Sequence, residues 1–194
     1  MTRHANIFAI LFDIADKQKQ EKILKNVLEN DEIPAITTPY FNFFELDVLC
    51  QMGKLTEVLD KIRSYWGGML DLGAVTFWEE YDPSVPKEEQ YDMYGDHFGK
   101  SLCHAWAASP IYFLAKYFAG LDLVNKDGVT YVLKPQMQYF TDLDCILPVG
   151  SDGTVRLAWD GECLEVIADA EGGVLELGEE KISLVRGETR RVKI

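Results

Sequence analysis

Two adjacent carboxylates, Glu79 and Glu80, stand between an indole and a phenol in the run Ala74-Val75-Thr76-Phe77-Trp78-Glu79-Glu80-Tyr81-Asp82-Pro83. An ionised carboxylate accepts hydrogen bonds and takes protons, and aromatic planes stack on the C–H faces of a sugar ring, so the combination suits recognition of a carbohydrate and acid–base chemistry on it. The wider stretch from Leu70 to Trp106 adds the imidazoles of His97 and His104 and the indole of Trp106. Between Gly67 and His97 there are eight acids and one lysine, Lys87. These residue types also have a purely structural use, as solvated acids on a loop whose rings pin it to the core.

The elements that must position these groups follow from periodicity. The stretch itself has no clean helical or strand period and is bounded by Gly67-Gly68, Gly73, Pro83 and Pro86, so it reads as a long shaped loop. Its rings, among them Phe77, Tyr91, Tyr94 and Phe98, argue against disorder. Upstream, Ile7, Ile10, Leu11 and Ile14 mark one helix, and Asp16 can cap a second carrying Ile23, Leu24, Val27 and Leu28. Thr38-Pro39 opens a third helix running to Gly53, and Leu55, Val58, Leu59, Ile62 and Trp66 stripe a fourth that Gly67-Gly68 is expected to end. A fifth helical segment is expected from about Lys100 to Ala119, kinked or restarted near Ser109-Pro110.

At Gly120 the grammar changes. Asp127-Gly128, Asp152-Gly153, Asp160-Gly161 and Gly172-Gly173 punctuate short runs, and in one of these Val155, Leu157 and Trp159 alternate with Arg156, Ala158 and Asp160. The expectation is an α+β chain of two parts: a helical array over 1–120, and a small antiparallel β-sandwich over 121–194 with strands from about Val129 onward. Helices this apolar resemble the end of a larger toroid, so the chain is expected to be a fragment with an exposed face and a tendency to self-associate.

The 194 residues carry a formal charge of −13. Such a balance argues against nucleic acid or an anionic membrane as partner and favours a neutral ligand. The N-terminus lacks the apolar core of a signal peptide, and the apolar stretch from Ala105 to Ala119 is too short and interrupted to span a bilayer, so compartment stays open. Cys50, Cys103, Cys145 and Cys163 show no metal-site spacing and read as buried thiols; no metal or other cofactor is expected.

Three elements resemble one family. Thr76-Phe77-Trp78-Glu79 is a T-x-W-E stretch, Ser101-Leu102-Cys103-His104 an S-x-x-H element, and Thr38-Pro39-Tyr40 a T-P-Y helix start; in this order they are similar to the C-terminal part of α-L-rhamnosidases, inverting glycoside hydrolases built on an (α/α)6 barrel followed by a C-terminal β-sandwich. The resemblance implies a partial (α/α)6 barrel over 1–120 and a rhamnoside substrate. It implies Glu79 as general base, with Glu80 its rival, and His104 as a sugar ligand that donates to one hydroxyl and accepts from another. Trp78 and Trp106 are expected either as sugar-stacking walls or as core.

The general acid of the family lies in a stretch with no counterpart here, so the isolated chain is expected to be inactive without the missing N-terminal half of the barrel. Another (α/α)6 glycosidase and a non-catalytic carbohydrate-binding fragment are the competing readings.

Overall fold

The computed structural model describes residues 2–126, 128–151 and 153–194. The expected turn residues Asp127 and Asp152 lie outside them. The chain is α+β and divides into two compact units, Met1–Pro110 and Ile111–Ile194.

In the first unit, helix α1 (Arg3–Leu11) leads through a turn to α2 (Lys17–Ile23), whose N-cap Asp16 accepts from the Lys19 amide at 2.9 Å. A π-turn, Leu24–Leu28, extends α2 and buries Leu24, Val27 and Leu28. Helix α3 (Pro39–Gln51) begins with Thr38 as N-cap and proline in the first turn, where the missing N–H costs nothing. It packs against α1 and against α4 (Leu55–Lys61), and it is buried along Asn42, Glu45, Leu46 and Leu49.

The carboxylate of Glu45 inside this layer is balanced by two cations. Arg3 Nη1 lies 3.3 Å from it and Lys61 Nζ 3.0 Å. Arg3 also donates to the carbonyls of Leu28 and Pro34, tying α1 to the loop that closes α2. A buried acid is tolerable only when it is paired and hydrogen-bonded in this way.

The expectation that Gly67-Gly68 ends the fourth helix is overturned. Helix α4 continues through a π-turn, Ile62–Trp66, into α5 (Gly67–Asp71). The stop is Gly73, at φ +93°, where the amides of Gly73 and Ala74 return to the carbonyls of Leu70 and Met69 in a Schellman arrangement. Gly68 serves packing instead: a Cβ there would lie 2.6 Å from Cζ of Tyr81.

From Leu72 to His104 the backbone is a loop with one short 3₁₀ turn, Lys87–Glu89, as its composition predicts. Gln90, buried, staples it by donating to the carbonyls of Asp82 and Val85. Residues 100–104 are not helical, contrary to expectation, because their amides are committed elsewhere: Ser101 donates to the Glu79 side chain and His104 to the Phe77 carbonyl. Helix resumes at α6 (Ser109–Phe113), the predicted restart, and ends in a π-turn, Leu114–Phe118.

The second unit holds two four-stranded sheets: β1 (Leu121–Lys126), β2 (Val129–Leu133), β6 (Gly173–Leu177) and β7 (Glu180–Leu184) in one, and β3 (Leu143–Val149), β4 (Gly153–Trp159), β5 (Cys163–Asp169) and β8 (Thr189–Lys193) in the other. Tyr131, Leu133 and Leu175 of the first meet Leu157, Leu164 and Val166 of the second in one core. The alternation read for β4 holds, with Val155 and Leu157 buried. The all-antiparallel expectation does not, since β2 and β6 pair in parallel, Leu133 beside Leu175. Cys50 is buried as expected, but Cys103 is exposed and Cys145 and Cys163 are half-buried.

Candidate active site

The first unit brings Glu79 and His104 together. Glu79 is placed by a two-way clasp: its amide donates to the Ser101 carbonyl at 2.9 Å, and its Oε2 accepts from the Ser101 amide at 3.1 Å. Further along the same two segments, the His104 amide donates to Phe77 O at 2.8 Å, and the Thr76 hydroxyl to Leu102 O. Segments 76–79 and 101–104 therefore run as a short zipped pair. The result is His104 Nδ1 3.9 Å from Glu79 Oε2, just beyond hydrogen-bond reach, with both side chains partly exposed.

Glu80 points into a different set of partners. Its Oε1 accepts from the Thr37 hydroxyl at 2.7 Å, while the Tyr81 amide donates to Thr37 O at 3.1 Å. Tyr65 donates its hydroxyl to the same Thr37 carbonyl, and burial pushes its phenol well above the ordinary value, so it stays a neutral donor. The Glu80 carboxylate thus ties the loop to the segment entering α3.

The two tryptophans separate. Trp78 is 3% exposed and meets the Tyr91 ring at 5.6 Å, so the core alternative holds for it and it offers no wall to a ligand. Trp78 turns into the core while the adjacent Glu79 stays partly exposed. Trp106 is 46% exposed and stacks between His104, at 4.5 Å, and Tyr40, at 4.9 Å. Tyr40 comes from the first turn of α3, two residues into the T-P-Y element; the motif located its helix but not its part in this stack. Its exposed ring extends the aromatic surface beside Glu79.

One cation escaped the sequence reading. Lys100 is buried next to the zipped pair; burial lowers its ammonium pKa, against the opposing pull of Glu80, Asp82, Asp92 and Glu79. It supplies positive charge to a loop otherwise dominated by acids, and no local pattern marks it out. His97, in the loop mouth, pairs with Asp92. Among the described residues no cluster of His, Cys, Asp or Glu is placed to hold a metal ion, and no helix is long and apolar enough to cross a membrane.

No protein-family model matches the chain, and no curated protein matches it. Solved structures share its fold. A GH78-family rhamnosidase of Bacillus sp. GL1 is similar over 92% of this chain and 19% of its own length, with a TM-score of 0.70 and 23% identity. A rhamnosidase from Klebsiella oxytoca, with rhamnose bound, is similar over 60% of this chain and 22% of its own, with a TM-score of 0.52 and 32% identity. The fold is rhamnosidase-like, and the chain spans about a fifth of the length of either structure.

Proposed function

We propose that the chain is the C-terminal part of an inverting glycoside hydrolase acting on terminal α-L-rhamnosyl residues, with 1–120 belonging to an (α/α)6 barrel and 121–194 forming its C-terminal sandwich. What carries the reading is the Glu79 carboxylate, oriented by Ser101 beside His104, in a fold shared with two rhamnosidases.

In this reading Glu79 is the general base. The Ser101 amide occupies Oε2 and leaves Oε1 for a water. Glu79 takes a proton from that water as its oxygen attacks the anomeric carbon, and the glycosidic C–O bond breaks on the opposite face. A carboxylic acid from outside this chain protonates the departing oxygen, ~6.5–9.5 Å from the base, as direct displacement by water requires. The configuration inverts. His104 holds a sugar hydroxyl through Nε2, and the Tyr40–Trp106–His104 stack walls the subsite. Glu80 and Trp78 hold the loop in shape.

The test is hydrolysis of an aryl α-L-rhamnoside by the full-length enzyme, with the first-formed anomer read by proton NMR. Release of β-L-rhamnose is expected. A retained α product would overturn inversion, and cleavage of aryl glucosides or glucuronides but not rhamnosides would transfer the reading to another (α/α)6 glycosidase. The chain alone should show no turnover.

A further inference from the structure

Among the described residues one strand pair of the sandwich, β2 with β6, runs parallel, and this has a steric consequence. Antiparallel neighbours leave a sheet at opposite ends, but β2 and β6 leave it side by side, and their carboxyl ends open onto a cleft of about 1020 Å³. This is at the upper end of the size range of small-molecule sites. One wall is ionic: Glu176, near the end of β6, and Lys134, just after β2, line it with an ammonium-to-carboxylate distance of 2.8 Å, and Lys181 on β7, behind the wall, places a second ammonium 2.8 Å from the same carboxylate. The other is aromatic, made by Trp159 at the end of β4 and by Phe140.

The aromatic wall is fixed in advance. Trp159 Nε1 donates to the Phe140 carbonyl at 3.2 Å, which sets the indole against its neighbour. Phe140 packs edge-on against Phe118, with centroids 5.8 Å apart. The segment leading from Lys134 to Phe140 is anchored near its start: the Lys134 amide donates to Gly120 O at 3.0 Å, and the Gln136 amide to Phe118 O at 2.8 Å. Met137 is buried beneath it, while Gln138 stands exposed at the rim. Little ordering is left for a ligand to impose.

We propose that this cleft binds a neutral saccharide unit, its C–H face on Trp159 and Phe140 and its hydroxyls shared among Glu176, Lys134 and Gln138. The chemistry selects among ligand classes. Both ammonium groups already face a carboxylate, in a chain of charge −13, so a free anion gains little. The lysines likewise oppose a cation, and a wholly apolar ligand would strip water from Glu176 without return. A sugar hydroxyl donates and accepts at once, which suits a carboxylate, an ammonium and an amide side by side. The cleft lies wholly in the second unit and does not depend on the hydrolase reading.

The experiment is a ¹H–¹⁵N NMR titration of the whole chain with L-rhamnose and maltotriose as neutral probes and trigalacturonate as an anionic one. A neutral probe is expected to shift the Trp159 indole N–H and the amides of 134–141 and 176–178. Gln138→Ala and Phe140→Leu, each checked for an unchanged melting temperature, should weaken that response up to roughly tenfold. His104→Ala should leave it intact, which separates this site from the one in the first unit. Preference for trigalacturonate, shifts confined to the His104 region, or no shift with either neutral probe would each overturn the proposal.

Discussion

Glu79 and Ser101 hold each other through two hydrogen bonds across a gap of 22 residues, 2.9 Å from the Glu79 amide and 3.1 Å to its carboxylate. The clasp fixes one carboxylate oxygen and frees the other, whereas Glu80 is bound to Thr37. If Glu79 is the general base proposed above, Glu79→Gln in the full-length enzyme should lose ~10²–10⁴ in kcat with little change in substrate binding, the usual size of a lost general base. Glu80→Gln should lose far less. Steady-state kinetics on an aryl rhamnoside decide it: the reverse ranking would move the base to Glu80.

Large apolar side chains are exposed on the first unit, among them Phe12 at 69% and Ile14 at 74%. They extend an aromatic row in which Phe12 stacks on Phe8, and Phe8 meets Phe44 at 5.3 Å. If this face belongs to a larger barrel, the chain on its own should self-associate through it, and Phe12→Ser with Ile14→Ser should shift it toward monomer. Light scattering across a concentration series checks this. A wild-type chain monomeric at high concentration would rule it out.

What could be read from the sequence was what local chemistry determines. Asp16 and Thr38-Pro39 announce helix starts through their own backbone preferences, and the alternation around Leu157 announces a strand, because period and capping act over a few residues. The loop holding Glu79 was legible for the same reason, whereas the segment 100–104 that carries His104 reads as helix and is not. The loop's interior was not legible: whether Trp78 or Trp106 turns inward depends on Tyr91, from a distant part of the same loop, and Tyr40, from α3. The pairing of Arg3 with Glu45, the burial of Lys100 and the parallel register of β2 with β6 are likewise long-range outcomes without a local signature.

Arg3 is the cation whose loss the first unit should feel most. Arg3→Met keeps most of the side-chain volume but leaves Glu45, 2% exposed, with Lys61 alone and frees the carbonyls of Leu28 and Pro34. Breaking a buried pair from one side typically costs ~3–5 kcal/mol, and the surviving Lys61 contact places this case near the lower figure. Urea unfolding should show a drop of that order. A change below ~1 kcal/mol would mean that the site is open to water.

Asp160 makes the β4–β5 turn sensitive to acid. Its Oδ1 accepts from the Cys163 amide at 2.8 Å and the Glu162 amide at 2.9 Å, and these bonds hold its carboxyl below the ordinary value, the Cys163 bond contributing most. A folded pKa below the unfolded ~3.9 gives stability that is present above about pH 4 and lost as pH falls through the folded value. Asp160→Asn keeps an acceptor but not the charge. The variant should melt lower than wild type near neutrality and converge with it toward about pH 2. A melting difference that stays constant with pH would show that charge plays no part.

Gly68 couples helix packing to the loop that holds Glu79. It lies inside a helix, where alanine would ordinarily stabilise by ~1 kcal/mol, but the added Cβ would meet the ring of Tyr81, already set edge-on against Tyr65 with centroids 5.5 Å apart. Forcing a methyl into such a contact typically costs ~1–3 kcal/mol, so overpacking outweighs propensity and Gly68→Ala should destabilise. Tyr81 follows Glu80 directly, and its amide is bonded to Thr37. Displacing its ring should therefore move the Glu79 segment too, and lower kcat in the full-length enzyme more than KM rises. In a Tyr81→Leu background the obstacle is gone, and the same alanine should be neutral or stabilising. A double-mutant cycle on urea midpoints measures this directly, and additive effects of the two substitutions would refute the coupling.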